Sequence, residues 1–137
     1  MRFLGLDYGT KRIGVALSNP EGTFAIPLET IAFNPDGSHV HAIRCIVDAY
    51  HVDRIVVGLP YNMDGSIGSR AEEALKWGKE LEGLLGLSVD FWDERLSTSE
   101  AHGMLMNINM KGKKRKTVVD KIAASIILQG YLDSVKP

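Results

Sequence analysis

The sequence has little of what marks secreted or membrane-bound proteins. Its one cysteine, Cys45, has no partner for a disulfide within the chain, which fits a reducing compartment. No stretch approaches the roughly 20 consecutive apolar residues that span a bilayer, and residues 1–7 lack the apolar length and cleavage site of a signal peptide. We therefore expect a cytoplasmic protein with no membrane partner, in which Cys45 is a small core or boundary residue.

An excess of charge of either sign is also absent. With 16 Lys and Arg against 17 Asp and Glu, the formal net charge of the 137 residues is −1. Binding to a polyanion must then come from local clusters of Lys and Arg, and not from a globally basic surface. The length suits one domain over residues 1–137, long enough to bury a single hydrophobic core.

Strand and turn patterns dominate the first third of the chain. Apolar runs at residues 2–7 and 12–18 are separated by a short polar, glycine-containing segment, a spacing typical of a hairpin. A third extended stretch, residues 25–33, follows a turn signal at 19–22. These patterns predict an antiparallel three-stranded meander. Pro27 indicates that the third strand lies at a sheet edge, because proline cannot donate to a strand ladder.

Helical and strand patterns alternate in the rest of the chain. Residues 54–59 are a short β-branched run, typical of a strand buried on both faces in a parallel pairing. The other predicted elements are helices at residues 37–50, 70–85, 97–108 and 118–132, a strand at 87–92 and a polar, basic loop at 109–116. This order predicts an α/β fold with a mixed five-stranded sheet, three antiparallel strands followed by two parallel ones, flanked by helices. It is the pattern of the ribonuclease H-like fold.

Hydroxyl residues precede several acids at the spacing of a helix capping box, three positions apart. The pairs are Ser69 with Glu72, Ser97 with Glu100, and Thr117 with Asp120. We interpret Glu72 and Glu100 as helix caps. Asp120, in the first turn of the predicted last helix, has two interpretations: a cap, or one of a set of functional acids drawn from distant parts of the chain.

Further acids lie at the ends of predicted strands. Asp7 ends the first strand, which is central in this topology, and open α/β sheets place ligands at such strand ends. Its alternative role is to start a turn by accepting hydrogen bonds from nearby backbone amides. Asp93 and Glu94 end the fifth strand, and because successive side chains face opposite sides, only one of them can point toward Asp7. The alternative is a solvated turn in which Arg95 pairs with one of the two acids.

Carboxylates that converge in a partly buried site repel one another unless cations neutralise them. Hard oxygen ligands favour Mg²⁺ or Mn²⁺. Metal-ligand spacing is absent among the histidines, which we interpret as surface or helix-face residues: His39, His41, His51 and His102. A pair of divalent ions can activate a water and stabilise the leaving oxygen in phosphodiester hydrolysis, with the acids as ligands and not as proton carriers. No serine, histidine and acid set competes for the chemistry.

Several blocks of sequence resemble the YqgF family, which is also called RuvX. They are LGLDYGTKRIGVA at residues 4–16, VGLPYNMDGS at 57–66, DERLST at 93–98 and VDKIAASIILQGYL at 119–132. The resemblance implies a ribonuclease H-like nuclease that matures the 5′ end of the small-subunit ribosomal RNA precursor (pre-16S rRNA), or one that resolves four-way (Holliday) DNA junctions. It also implies catalytic metal ligands for two Mg²⁺ or Mn²⁺ ions, namely Asp7, Glu94 and Asp120. The choice of Glu94 over Asp93 comes from the resemblance alone.

Cations near these acids predict contacts with a phosphate backbone. The run KGKKRK at residues 111–116 precedes the helix that carries Asp120, although such runs are also common as solvated, mobile segments. Residues 62–68 lead into a helix N-terminus, whose amides favour a phosphate. The predicted nucleic-acid-binding residues are Lys11, Arg12, Asn62, Arg95, Lys113, Lys114 and Arg115. A second role open to Lys11 and Arg12 is to balance the acids. We expect structured RNA or branched DNA as the partner of a monomer or homodimer.

Functions from other classes compete with hydrolysis. Residues 7–10 followed by Gly14 resemble the phosphate-binding strand of the actin, sugar-kinase and heat-shock ATPases. Those proteins close a second lobe over the nucleotide, and a chain of 137 residues leaves no room for one. A noncatalytic nucleic-acid-binding or regulatory role stays open, because sequence motifs do not report turnover.

Overall fold

The computed structural model describes residues 1–96 and 112–135. The strands are β1 (Phe3–Tyr8), β2 (Arg12–Ser18), β3 (Ala25–Ala32), β4 (Arg54–Leu59) and β5 (Ser88–Asp93). The helices are α1 (Ser38–Tyr50), α2 (Ser69–Leu85) and α3 (Gly112–Ser134), and a short 3₁₀ turn (Glu94–Leu96) follows β5. No helix within the described part of the chain combines the length and the apolar character needed to cross a membrane.

The strands form one five-stranded sheet in the order β3-β2-β1-β4-β5. β1 pairs antiparallel with β2 and β2 with β3, whereas β1 with β4 and β4 with β5 are parallel. The predicted mixed sheet is therefore confirmed, and β3, the strand that contains Pro27, lies at its edge. Because β1 is central and parallel to β4 and β5, the carboxyl ends of these three strands meet at one edge of the sheet.

Helices cover both faces of the sheet, and alternate side chains of β1 supply both layers. Leu4 and Leu6 belong to the larger core, which the sheet shares with α1 and α2. Phe3 belongs to the smaller core on the opposite face, where Leu128 and neighbouring residues of α3 pack. Asp7 has the same parity as Phe3, so it lies on the α3 face of the sheet.

Glycines let α3 approach the sheet closely. A methyl carbon placed on Gly14 would lie 1.9 Å from the backbone oxygen of Asp120. One placed on Gly5 would lie 2.7 Å from Cβ of Leu128, and one on Gly58 would lie 2.6 Å from Cδ1 of Ile127. Since real side chains never come so close, any larger residue at these positions would push α3 away from the strands.

The last helix begins earlier than its hydrophobic pattern predicts. Residues 112–116, predicted as part of a basic loop, are the first residues of α3. The physical reason is that Lys and Arg have good helix propensity, so a helix can extend beyond its apolar face. Asp120 consequently lies about two turns inside the helix and not in its first turn, and its interpretation as a cap is wrong. The predicted helix at 97–108, with Glu100 and His102, lies outside the described residues.

Other local predictions are also corrected. Cys45 is exposed, not a core or boundary residue, because it lies on the outer face of α1 while Ile43 and Ile46 face inward. Glu72 is not part of a capping box, because α2 begins at Ser69 with Gly68 as an N-cap that has no side-chain hydrogen bond. His39 lies on a face of α1, but on the buried one.

Candidate nucleic-acid cleavage site

Asp7, the penultimate residue of β1, is a half-buried carboxylic acid. Burial raises its pKa to about 8, and the negative charges of Glu94 and Asp120 contribute to the rise, while the positive charge of Arg70 opposes it. Within residues 1–96 and 112–135 no backbone amide donates a hydrogen bond to this carboxylate, so the turn-starting role considered for Asp7 is not seen there. Among the described residues, Asp7 therefore has none of the hydrogen-bond partners that normally stabilise a charge removed from water.

Glu94 follows β5 directly and shares a sheet face with Asp7. The register aligns Leu6 of β1 with Val57 of β4 and Val57 with Phe91 of β5. Asp7 lies one residue after Leu6 and Glu94 three residues after Phe91, so both lie on the face opposite to this row. Burial raises the pKa of Glu94, and the nearby charge of Arg70 opposes this rise.

Asp93 is turned away from this face and is engaged elsewhere. Its carboxylate accepts hydrogen bonds from the backbone and guanidinium of Arg95, with an ion-pair distance of 2.6 Å. The bonds from Arg95 lower the pKa of Asp93. The guanidinium of Arg95 also lies 5.5 Å from the centre of the Tyr61 ring. Glu94 is therefore the acid of this pair that couples electrostatically to Asp7.

Asp120 reaches the site from α3. Its backbone oxygen lies against Gly14, which is the β2 residue paired with Asp7. Its carboxylate forms an ion pair with Nε of Arg12 at 2.5 Å. The close contact between α3 and the β1–β2 pair thus places Asp120 next to Asp7, and Arg12 neutralises its charge.

The donor set suits a hard divalent cation. All three acids offer carboxylate oxygens, the ligand type that Mg²⁺ and Mn²⁺ prefer, and a cation would relieve the repulsion that raises the pKa of Asp7. In the part of the chain that the structure describes, no three His, Cys, Asp or Glu side chains stand close enough together to form a complete metal cage. The acids match a metal site in chemistry, and their carboxylates would have to draw closer together, with Arg12 shifting from Asp120, to share an ion.

A cleft of about 240 Å³ opens beside the acids. Its lining combines the turn between β1 and β2 with one residue from each of α2 and α3: Asp7, Tyr8, Gly9, Thr10, Lys11, Arg12, Arg70 and Asp120. Asp7 is half-buried within it, whereas Lys11 and Arg70 are exposed. A half-buried acid beside exposed cations is the arrangement expected where a phosphodiester lies over a metal site.

The predicted nucleic-acid-binding residues are only partly brought together. Lys11 and Arg12 line the cleft, Arg95 is held by Asp93, and the exposed Asn62 donates a hydrogen bond of 3.0 Å to Ser66 Oγ. Lys114 and Arg115 lie in the first turn of α3, outside the cleft lining. The side chain of Lys113 lies outside the described part of the chain.

Arg70 is the site residue that the sequence prediction missed. It lies in the first turn of α2 and lines the cleft, and its charge acts on both Asp7 and Glu94. The available signal was its position just after the segment 62–68, at the start of the helix that follows β4.

Comparison with solved structures supports the fold. One match is T. thermophilus RuvC in complex with a Holliday junction substrate, with a TM-score of 0.58 and 14% identity over 98% of this chain and 96% of that chain. Another is the Fowlpox virus resolvase in complex with Holliday junction DNA, with a TM-score of 0.61 and 10% identity over the whole of both chains. Such low identity bears on the fold alone, and the ribonuclease H-like prediction is confirmed.

Comparison of sequences identifies the family. A relative from Bacillus mycoides, named "Putative pre-16S rRNA nuclease", is 51% identical over 98% of this chain and 99% of its own length. A relative of the same name from Clostridium botulinum is 47% identical over 98% of both chains. The model of the RuvX family, described as Holliday junction resolvase, matches residues 1–134. The chain belongs to the RuvX family, as its sequence blocks predicted.

Proposed function

We propose that this protein is a divalent-metal-dependent nuclease that processes the 5′ end of pre-16S rRNA in the cytoplasm. The observation that carries the proposal is the half-buried Asp7, at the end of the central strand, whose pKa is raised by burial and by the carboxylates of Glu94 and Asp120. Acids that repel one another and are partly removed from water occur mainly at functional sites. The names of the relatives supply the substrate class.

The three acids would hold the metal, and the cations would hold the nucleic acid. When bound, Mg²⁺ or Mn²⁺ supplies an activated water and charge stabilisation at the leaving oxygen. Asp7, Glu94 and Asp120 would hold the ions from three separate elements, and Arg12 balances the charge of Asp120 when no ion is bound. Lys11 lies exposed at the cleft, where its ammonium can attract the phosphate backbone.

Neutral substitutions of the acids test this assignment. The substrates are a labelled RNA that carries the 5′ leader of pre-16S rRNA and a labelled four-way DNA junction, each incubated with Mg²⁺, Mn²⁺ or a chelator. Asp7→Asn, Glu94→Gln and Asp120→Asn should each lower cleavage by about 100-fold or more, since each removes a metal ligand. Asp93→Asn is the matched control and should cleave within about threefold of the parent, because Asp93 pairs with Arg95.

The outcomes of this comparison separate the competing functions. Faster cleavage of the RNA supports pre-16S rRNA processing. Faster cleavage of the junction supports the second candidate, a Holliday junction resolvase, which the description of the family favours. Metal-independent cleavage, or acid variants as active as the parent, would contradict the metal-ligand assignment. Tight binding without cleavage of either substrate would make the protein a noncatalytic nucleic-acid-binding module.

A further inference from the structure

Arg70 is the charged residue of the cleft lining to which the proposed function assigns no task. It comes from the first turn of α2, whereas the other lining residues come from the β1–β2 turn and α3. It is exposed, so its guanidinium is accessible to a ligand that enters the cleft. It also lies close enough to Asp7 and Glu94 for its charge to act on both carboxyls. Arg70 therefore lies between the half-buried acids and the solvent-exposed side of the site.

Within the described residues the guanidinium of Arg70 has no partner, unlike those of the other arginines around the site. Arg12 is bound to Asp120 at 2.5 Å, and Arg95 is bound to Asp93 at 2.6 Å. Across residues 1–96 and 112–135, by contrast, Arg70 forms no ion pair and its side chain donates no hydrogen bond. No residue that the structure describes therefore occupies any of its donors.

The backbone around Arg70 also suits an anion. The N-cap of α2, Gly68, supplies no side-chain hydrogen bond to the first-turn amides, so the positive end of the helix is left open beside the guanidinium. A guanidinium binds phosphate through two parallel hydrogen bonds, and it keeps its charge at any pH at which a protein is folded.

We propose that Arg70 contacts the phosphate that is cleaved, binding its non-bridging oxygens with the guanidinium fork while the acids hold the metal. This inference rests on the nuclease function proposed above. The acids and Arg70 then divide the work: the carboxylates bind cations, and the free arginine meets negative charge on the substrate that the metals do not neutralise. Preorganised donors of this kind act most strongly as charge develops in the transition state.

Cleavage kinetics of variants at position 70 form the first arm of the test. Arg70→Ala should lower kcat by about 100-fold, the usual cost of one donor to a transition-state oxygen. Arg70→Lys should regain about tenfold of this loss, because it keeps the charge but not the fork. Lys79→Ala removes the same charge from an exposed position of the same helix and should stay within about twofold of the parent. An Arg70→Ala chain as active as the parent would overturn the proposal.

A binding series forms the second arm and needs no turnover. RNA affinity is measured in chelator for two chains, Asp7→Asn alone and Asp7→Asn combined with Arg70→Ala. A set of RNAs is used in which a neutral methylphosphonate replaces the phosphate at one linkage, a different linkage in each RNA. Arg70→Ala should weaken the binding of each modified RNA about fivefold, with one exception. The exception is the RNA whose neutral linkage has already removed the contact with Arg70. This linkage should be the one that the parent cleaves. A uniform effect at all linkages would show that Arg70 contributes only general charge, which contradicts the proposal.

The two arms keep this inference separate from the nuclease function. If the parent cleaves neither substrate, the nuclease function fails by itself, and the binding series still decides whether Arg70 holds one particular phosphate. If the parent cleaves and Asp7→Asn does not, while both arms show no special role for position 70, only the Arg70 proposal fails. Because the side chain is exposed, the unfolding midpoint of Arg70→Ala should match that of the parent.

Discussion

At the scale of single residues, Asp7 links function to stability. An acid whose pKa is about 8 when folded and 3.8 ordinarily takes up a proton on folding between these two values. The free energy of unfolding therefore falls as the pH rises from about 4 to about 8, because deprotonation costs more in the folded chain. Such a residue lowers the free energy of unfolding at neutral pH unless an ion binds it. Residues needed for activity commonly lower stability in this way.

Replacing Asp7 with asparagine should stabilise the apo protein in alkaline solution. The amide resembles the protonated acid in shape and lacks the charge, so we expect Asp7→Asn to raise the free energy of unfolding by about 2–4 kcal/mol at pH 8.5, since each pKa unit corresponds to about 1.4 kcal/mol. The difference should vanish near pH 4. Urea unfolding in chelator at both pH values measures it, with the exposed Asp48→Asn as a control that should show no such difference.

Magnesium should narrow the difference in stability between these two chains. An ion that binds only the folded state stabilises it in proportion to the logarithm of its concentration. Millimolar Mg²⁺ at pH 8 should raise the free energy of unfolding of the parent by about 1–3 kcal/mol and leave Asp7→Asn almost unchanged. Asp93→Asn should respond like the parent. Equal responses of the parent and Asp7→Asn would argue against Asp7 as a metal ligand.

At the scale of elements, the site depends on how closely α3 packs on β2. Gly14→Ala would place a methyl carbon on the backbone oxygen of Asp120, so we expect a loss of at least about 2 kcal/mol in the free energy of unfolding and a loss of cleavage activity. Gly83→Ala, on α2, meets nothing within 4 Å and should instead raise stability by about 0.5–1 kcal/mol through helix propensity. Urea unfolding of both variants checks the pair. If Gly14→Ala were neutral, the close contact would be wrong.

The elements themselves were largely readable from the sequence, whereas the choice of face was not. Apolar runs and turn residues predicted all five strands, since burial and chain reversal are local properties. The sheet face on which Glu94 lies could not be derived from the sequence. Helices cover both sides of β5, so the alternation of apolar residues does not indicate which side chains face which helix. The start of α3 was missed because Lys114 and Arg115 are good helix formers outside any apolar pattern. Arg70 was missed because its role depends on a cleft that three distant elements build.

At the scale of the whole molecule, a net charge of −1 conceals an uneven distribution. Cations gather at the cleft and at the start of α3, so a polyanion can bind one end of a protein that is not basic overall. Affinity should then depend on few phosphate contacts and fall moderately with added salt.

Neutralising the start of α3 tests this distribution. The double variant Lys114→Ala and Arg115→Ala should reduce the slope of log affinity against log salt by about 1.4 for single-stranded RNA, at about 0.7 per lost contact. The control, Lys76→Ala with Lys79→Ala, removes two exposed charges from α2 and should keep the slope of the parent. An unchanged slope in the α3 variant would leave this region without a role in binding.

The close packing of α3 on β2 also determines when the site becomes complete during synthesis. Asp7 lies in the first strand, Glu94 just after the fifth, and Asp120 in the helix that follows all of them. A ribosome that has released the chain only as far as the 3₁₀ turn after β5 has therefore produced two of the three acids. The third arrives when the final helix docks against Gly14. On the proposed function, a nascent chain would therefore be inert toward RNA until α3 has docked on the sheet.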